Sequence, residues 1–238
     1  MSAKRTLVTG GTRGIGRAIA RAILEAGGRV MITGRDAPGV AEAVRQLDAE
    51  TGSSGRVAGQ ALDVRDSRAV DDVVSSTVTA FGGLDVVVNN AGVGLFGNTE
   101  TVTDDEWHQV MDTNVTGPFY VMRAAIPRMR ESGGGWIINI ASLIARNPSP
   151  GRGAYAASKA ALIALTESVM QEVRVDNIRV SVILPGSVAT DFSSTATEDD
   201  AWKLSPDDVA EVVVDLLGHH ARSLSSRIEI RPSRPKKG

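Results

Sequence analysis

Short β-branched runs alternate with longer amphipathic segments along this whole chain, and that alternation limits the fold more than any single motif. Residues 5–9 (Arg5-Thr6-Leu7-Val8-Thr9) read as a first strand, and 15–26 as a helix with Ile19, Ile23 and Leu24 on one face. Strands follow at 30–33, 57–62, 84–88, 136–141 and 178–184, with a last short one at 227–231. Helices are expected through Val40, Val44 and Leu47, then over 67–81, 107–129, 154–173 and 207–217, the last opened by Ser205-Pro206 as cap and first-turn proline. Pro118 should kink the long 107–129 helix or mark its inner turn. A strand followed each time by a helix implies an α/β chain: a mostly parallel sheet covered on both faces, with right-handed crossovers. Val86-Val87-Val88 and Ile137-Ile138 are apolar without alternation, as doubly buried strands require. No linker or repeat divides the sequence, so one domain is expected over 1–238, with a basic, proline-rich tail at 231–238.

The most informative loop is Thr9-Gly10-Gly11-Thr12-Arg13-Gly14-Ile15-Gly16, between the first strand and the first helix. Glycines there permit a tight turn and a close backbone approach to phosphates, and the helix N-terminus offers free N–H groups. Its position at the first β-to-α turn makes dinucleotide binding the expectation.

The chain has 0 cysteines and 3 histidines, His108, His219 and His220, with no metal-ligand spacing among them. Thiol chemistry is excluded and a metal site is not expected, so proton transfer falls to other groups. Tyr155 and Lys159 lie four apart on an expected helix and share a face. A tyrosine with its ordinary pKa near ~10 would need a drop of about three pH units, or roughly 4 kcal/mol, to work at neutrality. A nearby ammonium supplies part of that preference. Ser142 has no Gly-x-Ser-x-Gly context, so it is not a hydrolase nucleophile.

Gly10, Gly14 and Gly16 give Gly-x-x-x-Gly-x-Gly rather than Gly-x-Gly-x-x-Gly. Asp63-Val64, Asn89-Asn90-Ala91-Gly92, Asn114, the set Ser142, Tyr155 and Lys159, and Pro185-Gly186 with Val188 and Thr190 follow in order. In these features the chain resembles the short-chain dehydrogenase/reductase family over nearly its whole length, and among its members the bacterial 3-oxoacyl-carrier-protein reductases. The resemblance implies a Rossmann-type, doubly wound sheet of about seven strands in the order 3-2-1-4-5-6-7. It implies that Gly10, Thr12, Arg13, Gly14, Ile15, Gly16, Arg35, Asp63, Val64, Asn90, Ala91, Gly92, Pro185, Gly186, Val188 and Thr190 hold the cofactor, together with Tyr155 and Lys159. It also implies roles: Tyr155 as proton donor and acceptor, Lys159 on the nicotinamide ribose and lowering the tyrosine pKa, Ser142 on the substrate carbonyl, and Asn114 holding a water that relays protons to Lys159. The C-terminal Ser226-Arg227-Ile228-Glu229-Ile230-Arg231-Pro232 departs from the carrier-protein reductases, which weakens a fatty-acid assignment and the usual tetramer contact.

An acidic residue after the second strand would favour NAD(H), but Gly34-Arg35 stands there, and Arg13 reaches the same place. Two guanidinium groups suit a 2′-phosphate, so NADP(H) is expected over NAD(H). Asp36, before Ala37-Pro38, reads as a helix cap. The substrate pocket is expected from Val93, Leu95 and Phe96, from 143–152 and from 187–192. Arg146 and Arg152 flank the serine and tyrosine; a structural or solvent role is the plainer reading, an acidic substrate or carrier the sharper one. Residues 193–197 read as a mobile part of a short lid over an open pocket. The tail reads as solvated or interface-packed. Small residues along 154–173 suit close helix packing or a subunit interface, and a homodimer or homotetramer is expected. A net charge of -2 gives no case for nucleic acid or an anionic membrane. The early strand leaves no room for a signal peptide and no run approaches a membrane span, so a cytoplasmic location is expected. The alternatives are an NAD-linked alcohol dehydrogenase, or a non-catalytic dinucleotide-binding redox sensor, which should have lost Asn114, Ser142, Tyr155 and Lys159.

Overall fold

The structure, a computed structural model, describes residues 4–190, 192 and 200–234. Seven strands form one parallel sheet in the order β3-β2-β1-β4-β5-β6-β7. They are β1 (Arg5–Val8), β2 (Arg29–Gly34), β3 (Val57–Ala61), β4 (Val86–Asn89), β5 (Gly135–Ile140), β6 (Ile178–Pro185) and β7 (Arg227–Ile230). The order reverses between β1 and β4, which pair as neighbours, and the carboxyl ends of the strands open a crevice at that switch point.

Apolar residues on opposite pleats build two cores. One face packs under α1 (Gly14–Glu25), α2 (Ala37–Thr51) and α7 (Pro206–Gly218), through Ile19, Leu24, Leu47 and Val213. The other packs under α3 (Ser67–Phe81), α5 (Gly117–Glu131) and α6 (Gly153–Val173), through Val70, Val74, Val121, Met129 and Val173. This is the doubly wound, Rossmann-like sheet expected from the alternation. Ser205 caps α7 reciprocally with Asp208, and Asp36 caps α2 by accepting from Gly39 N–H at 2.8 Å. All three histidines are exposed.

The long helix expected over 107–129 is instead two helices joined by a π-helical turn. α4 (Asp104–Met111) gives way to Asp112–Thr116, and α5 begins at Gly117. Pro118 has no N–H to offer the Asn114 carbonyl four residues back. The helix takes in an extra residue, and Gly117 N–H bonds to the Asp112 carbonyl. Along α6, Ala154 and Ala156 face inward, while Ala157, Ala160 and Ala164 are exposed.

Candidate active site

A cleft of about 1140 Å³ runs along the carboxyl ends of the strands. Of the expected catalytic and cofactor-binding residues, all but Gly16 and Asn114 line it; those two are buried beneath it.

At one end stands the glycine loop. Gly10 and Gly14 take left-handed conformations, φ +64° and +53°, which only glycine adopts at little cost. A Cβ on Gly16 would lie 2.3 Å from the Gly10 carbonyl oxygen. Asn90 locks the loop to the end of β4: its amide donates to the Thr9 and Gly10 carbonyls, both at 3.0 Å. Thr9 Oγ1 in turn accepts from the N–H groups of Asn90 and Ala91. Thus Asn90, expected to hold cofactor, spends its amide on positioning the loop. The loop leads into the α1 N-terminus, with Arg13 as an N-cap whose side chain caps nothing.

Arg13 and Arg35 line this end, are exposed, and form no salt bridge among the described residues. Gly34 packs against Thr12: a Cβ there would come within 2.6 Å of the Thr12 methyl, so an acidic side chain would have to displace Thr12. Asp63 is gripped by Arg65, whose Nε and Nη2 donate to it at 3.0 and 2.5 Å. Hydrogen bonding to that guanidinium holds the carboxyl below its usual range, against a smaller desolvation effect. Arg65 also lines the cleft; its signal was its place two residues after Asp63. The cradle that a Cβ would fill, the helix N-terminus and two uncommitted guanidinium groups together fit a dinucleotide carrying an extra phosphate.

At the other end Ser142, Tyr155 and Lys159 converge. Ser142 lies two residues past the end of β5 in extended backbone, and its hydroxyl accepts from Ile144 N–H. Tyr155 lies in the first turn of α6, and Lys159 sits one turn further, 4% exposed. The Lys159 ammonium donates to the Ile140 carbonyl at 2.9 Å and lies 5.8 Å from the tyrosine ring centroid. Burial alone pushes its pKa down to about 8. Burial pushes the Tyr155 phenol up to about 12; the Ser142 hydroxyl, as hydrogen-bond donor, and the Arg152 charge pull it down by less. The side chains of this chain therefore do not produce the lowered phenol expected from Tyr-x-x-x-Lys, because desolvation outweighs the charges nearby.

Asn114, in the π turn, is fully buried. Its Oδ1 accepts from Val93 N–H at 2.9 Å, and its Nδ2 donates to the Val93 carbonyl at 2.9 Å and to Ser158 Oγ at 3.0 Å. Ser158 passes the contact to the Tyr155 carbonyl at 2.8 Å. The amide thus ties the segment after Gly92 to the turn of helix bearing Tyr155. Both Asn114 Oδ1 and Lys159 Nζ abut Gly92.

Of the expected substrate-side residues, Val93, Phe96, Leu143, Ile144, Asn147, Arg152, Ser187, Val188, Thr190 and Phe192 line the cleft, whereas Leu95 and Arg146 do not. Residues 193–197, expected as the mobile part of a short lid, lie outside the described residues. The ends of that connection are zipped together by Ala189 N–H to the Leu204 carbonyl and Leu204 N–H to the Ser187 carbonyl. The described part of the tail, expected to be solvated or interface-packed, returns to its own chain. Gly186 N–H bonds to the Ile230 carbonyl, and Arg231, Pro232 and Arg234 line the cleft.

Residues 4–201 match the model of the family described as short chain dehydrogenase. An uncharacterized oxidoreductase of Staphylococcus aureus strain MW2 is 33% identical over 229 residues, covering 96% of this chain and 97% of that protein. The L-sorbose reductase of Gluconobacter frateurii, solved with NADPH and L-sorbose, superposes with a TM-score of 0.90 at 32% identity, over 98% of this chain and 96% of that one. A 3-ketoacyl-(acyl-carrier-protein) reductase from Brucella melitensis, complexed with NADH, superposes at 0.88 with 27% identity, over 96% and 97% of the two chains. The chain belongs to the short-chain dehydrogenase/reductase family of oxidoreductases.

Proposed function

We propose that this chain is an NADP(H)-dependent oxidoreductase that interconverts a ketone and a secondary alcohol, with Tyr155 as general acid and base. The observation that carries this reading is the placement of Ser142, Tyr155 and Lys159 in the same cleft as the glycine loop. The nicotinamide, when bound, supplies or accepts the hydride. In the reducing direction the Tyr155 hydroxyl donates its proton to the carbonyl oxygen as charge develops there, while the Ser142 hydroxyl holds that oxygen in place. Tyr155 is left as phenolate. The Lys159 ammonium stabilises that phenolate, and a pKa near 8 lets Lys159 release and regain protons close to neutrality. Oxidation runs the same steps backwards.

Arg13 and Arg35, uncommitted at the β2 end, support NADP(H) over NAD(H), as does the NADPH in the L-sorbose reductase. The intact set Asn114, Ser142, Tyr155 and Lys159 speaks against a non-catalytic redox sensor. The reading takes the chain as a single domain carrying cofactor and catalytic sites. It implies a small-molecule substrate and a cytoplasmic location, where NADPH-linked reduction proceeds. The exposed Ala157, Ala160 and Ala164 on α6 suit a homodimer or homotetramer.

The test is titration with NADPH and NADH, followed by nicotinamide fluorescence, for the native chain and Arg35→Ala, then NADPH-linked ketone reduction by the native chain and Tyr155→Phe. NADPH binding that weakens selectively in Arg35→Ala, with turnover lost in Tyr155→Phe, is the expected result. A preference for NADH, or a mutant indifferent to the change, refutes the cofactor assignment.

A further inference from the structure

Two arginines flank the candidate catalytic groups, and the structure separates their roles. Arg146 donates to Glu229 at 2.8 Å, and Arg231 shares that carboxylate at 2.9 Å. Arg152 makes no side-chain hydrogen bond and no salt bridge among the described residues. Its guanidinium lies over the Phe96 ring, 4.8 Å from the centroid, and is close enough to Tyr155 to favour the phenolate.

The surroundings form a wall. Phe192 packs on Tyr155 with ring centroids 5.7 Å apart. A Cβ on Gly94 would lie 2.9 Å from Phe192 and 3.1 Å from Phe96, so both rings meet over that glycine. Phe96 and Phe192 are 46% and 43% exposed, unusual for rings lining a cleft beside a buried tyrosine. Only two acidic residues line the cleft among those described, Asp36 and Asp63. Both belong to the β2–β3 end, one capping α2 and the other held by Arg65. Among the described residues, the Tyr155 end therefore offers an apolar, aromatic wall ending in a cation with no acid beside it.

Building on the reaction proposed above, we propose that Arg152 is a substrate-binding residue and that the substrate is a small carbonyl compound bearing a carboxylate close to the carbonyl. A guanidinium matches a carboxylate with two parallel hydrogen bonds. Stacking on Phe96 holds the plane of Arg152 before the substrate arrives, so less side-chain freedom is lost on binding. The carbonyl then points at Tyr155 and Ser142, and any apolar substituent lies against Phe96 and Phe192.

The test compares benzoylformate with its methyl ester as substrates for NADPH-linked reduction by the native chain, Arg152→Met and Arg152→Lys. Methionine keeps apolar packing on Phe96, and lysine keeps the charge. The acid-to-ester ratio of kcat/KM should fall about tenfold or more in Arg152→Met, mainly through KM, as expected for losing a hydrogen bond to a charged group. It should be partly restored in Arg152→Lys. An unchanged ratio, with acid and ester losing equally, overturns the proposal and leaves Arg152 as packing for Phe96. Calorimetric titration of benzoylformate into the NADPH-saturated protein gives a readout without turnover. If no carbonyl is reduced, the reaction reading fails; binding that Arg152→Met abolishes still upholds the recognition role, and binding that is absent or indifferent to the substitution overturns it.

Discussion

Replacing Lys159 by methionine should change the pH dependence of stability in a defined window. The ammonium is 4% exposed, keeps one hydrogen bond, to the Ile140 carbonyl, and has no carboxylate partner among the described residues. Burial takes its pKa from 10.5 down to about 8. Below pH 8 the folded and unfolded chains both carry the proton, and the fold bears the whole cost of a buried cation. Between pH 8 and 10.5 the folded chain releases the proton while the unfolded chain keeps it. The unfolded state then binds more protons, so stability rises with pH. A shift of about 2.5 units corresponds to roughly 3 kcal/mol in all, of which about 2 kcal/mol falls between pH 8 and pH 10. Urea unfolding of the native chain and Lys159→Met, followed by circular dichroism at pH 7, 8, 9 and 10, gives the difference curve. Groups common to both chains cancel, and the Tyr155 phenol, raised to about 12, stays neutral across the window in the folded state. The native chain should gain about 2 kcal/mol on the variant from pH 8 to 10. Parallel curves would refute the reasoning. A native curve falling relative to the variant would mean that the fold stabilises the ammonium.

Other perturbations test the cradle and its supports. Gly16→Ala drives a methyl into the Gly10 carbonyl and the Asn90 amide, at 2.3 and 2.4 Å; it should cost about 1–3 kcal/mol in urea unfolding and sharply weaken NADPH binding by fluorescence titration. Asn114→Ala strands Val93 N–H and its carbonyl in a half-buried setting and should cost about 1–3 kcal/mol, less than the full penalty for two wholly buried groups, with a lowered thermal midpoint. Asp36→Ala removes the α2 cap and should cost about 1 kcal/mol in urea unfolding.

What the sequence disclosed was whatever its local pattern encodes. The 67–81 helix was legible to the residue, because Asp66 caps it and Gly82, at φ +78°, ends it. The glycine loop and the strand ends were legible because parallel strands carry their sites at their carboxyl termini. What escaped notice depends on chain segments far apart. The packing of Phe192 on Tyr155, the return of Pro232 against Gly186 and the pairing of Arg146 with Glu229 rather than with a ligand are tertiary facts with no short-range signal. The Tyr155 phenol shows the same limit: spacing reveals a neighbouring ammonium, but it does not report burial, which among the side chains has the larger effect.

The π turn at Asp112–Thr116 also acts as a phase shifter. One additional residue in a helix rotates everything downstream by about 100°. The outward faces of α4 and α5 are therefore set independently, although the two run on as one column. Substitutions in α4 can vary what that surface presents without rotating Val121 or Met129 out of the core. Deleting a single residue within the turn would remove that phase shift and swing one side off its register.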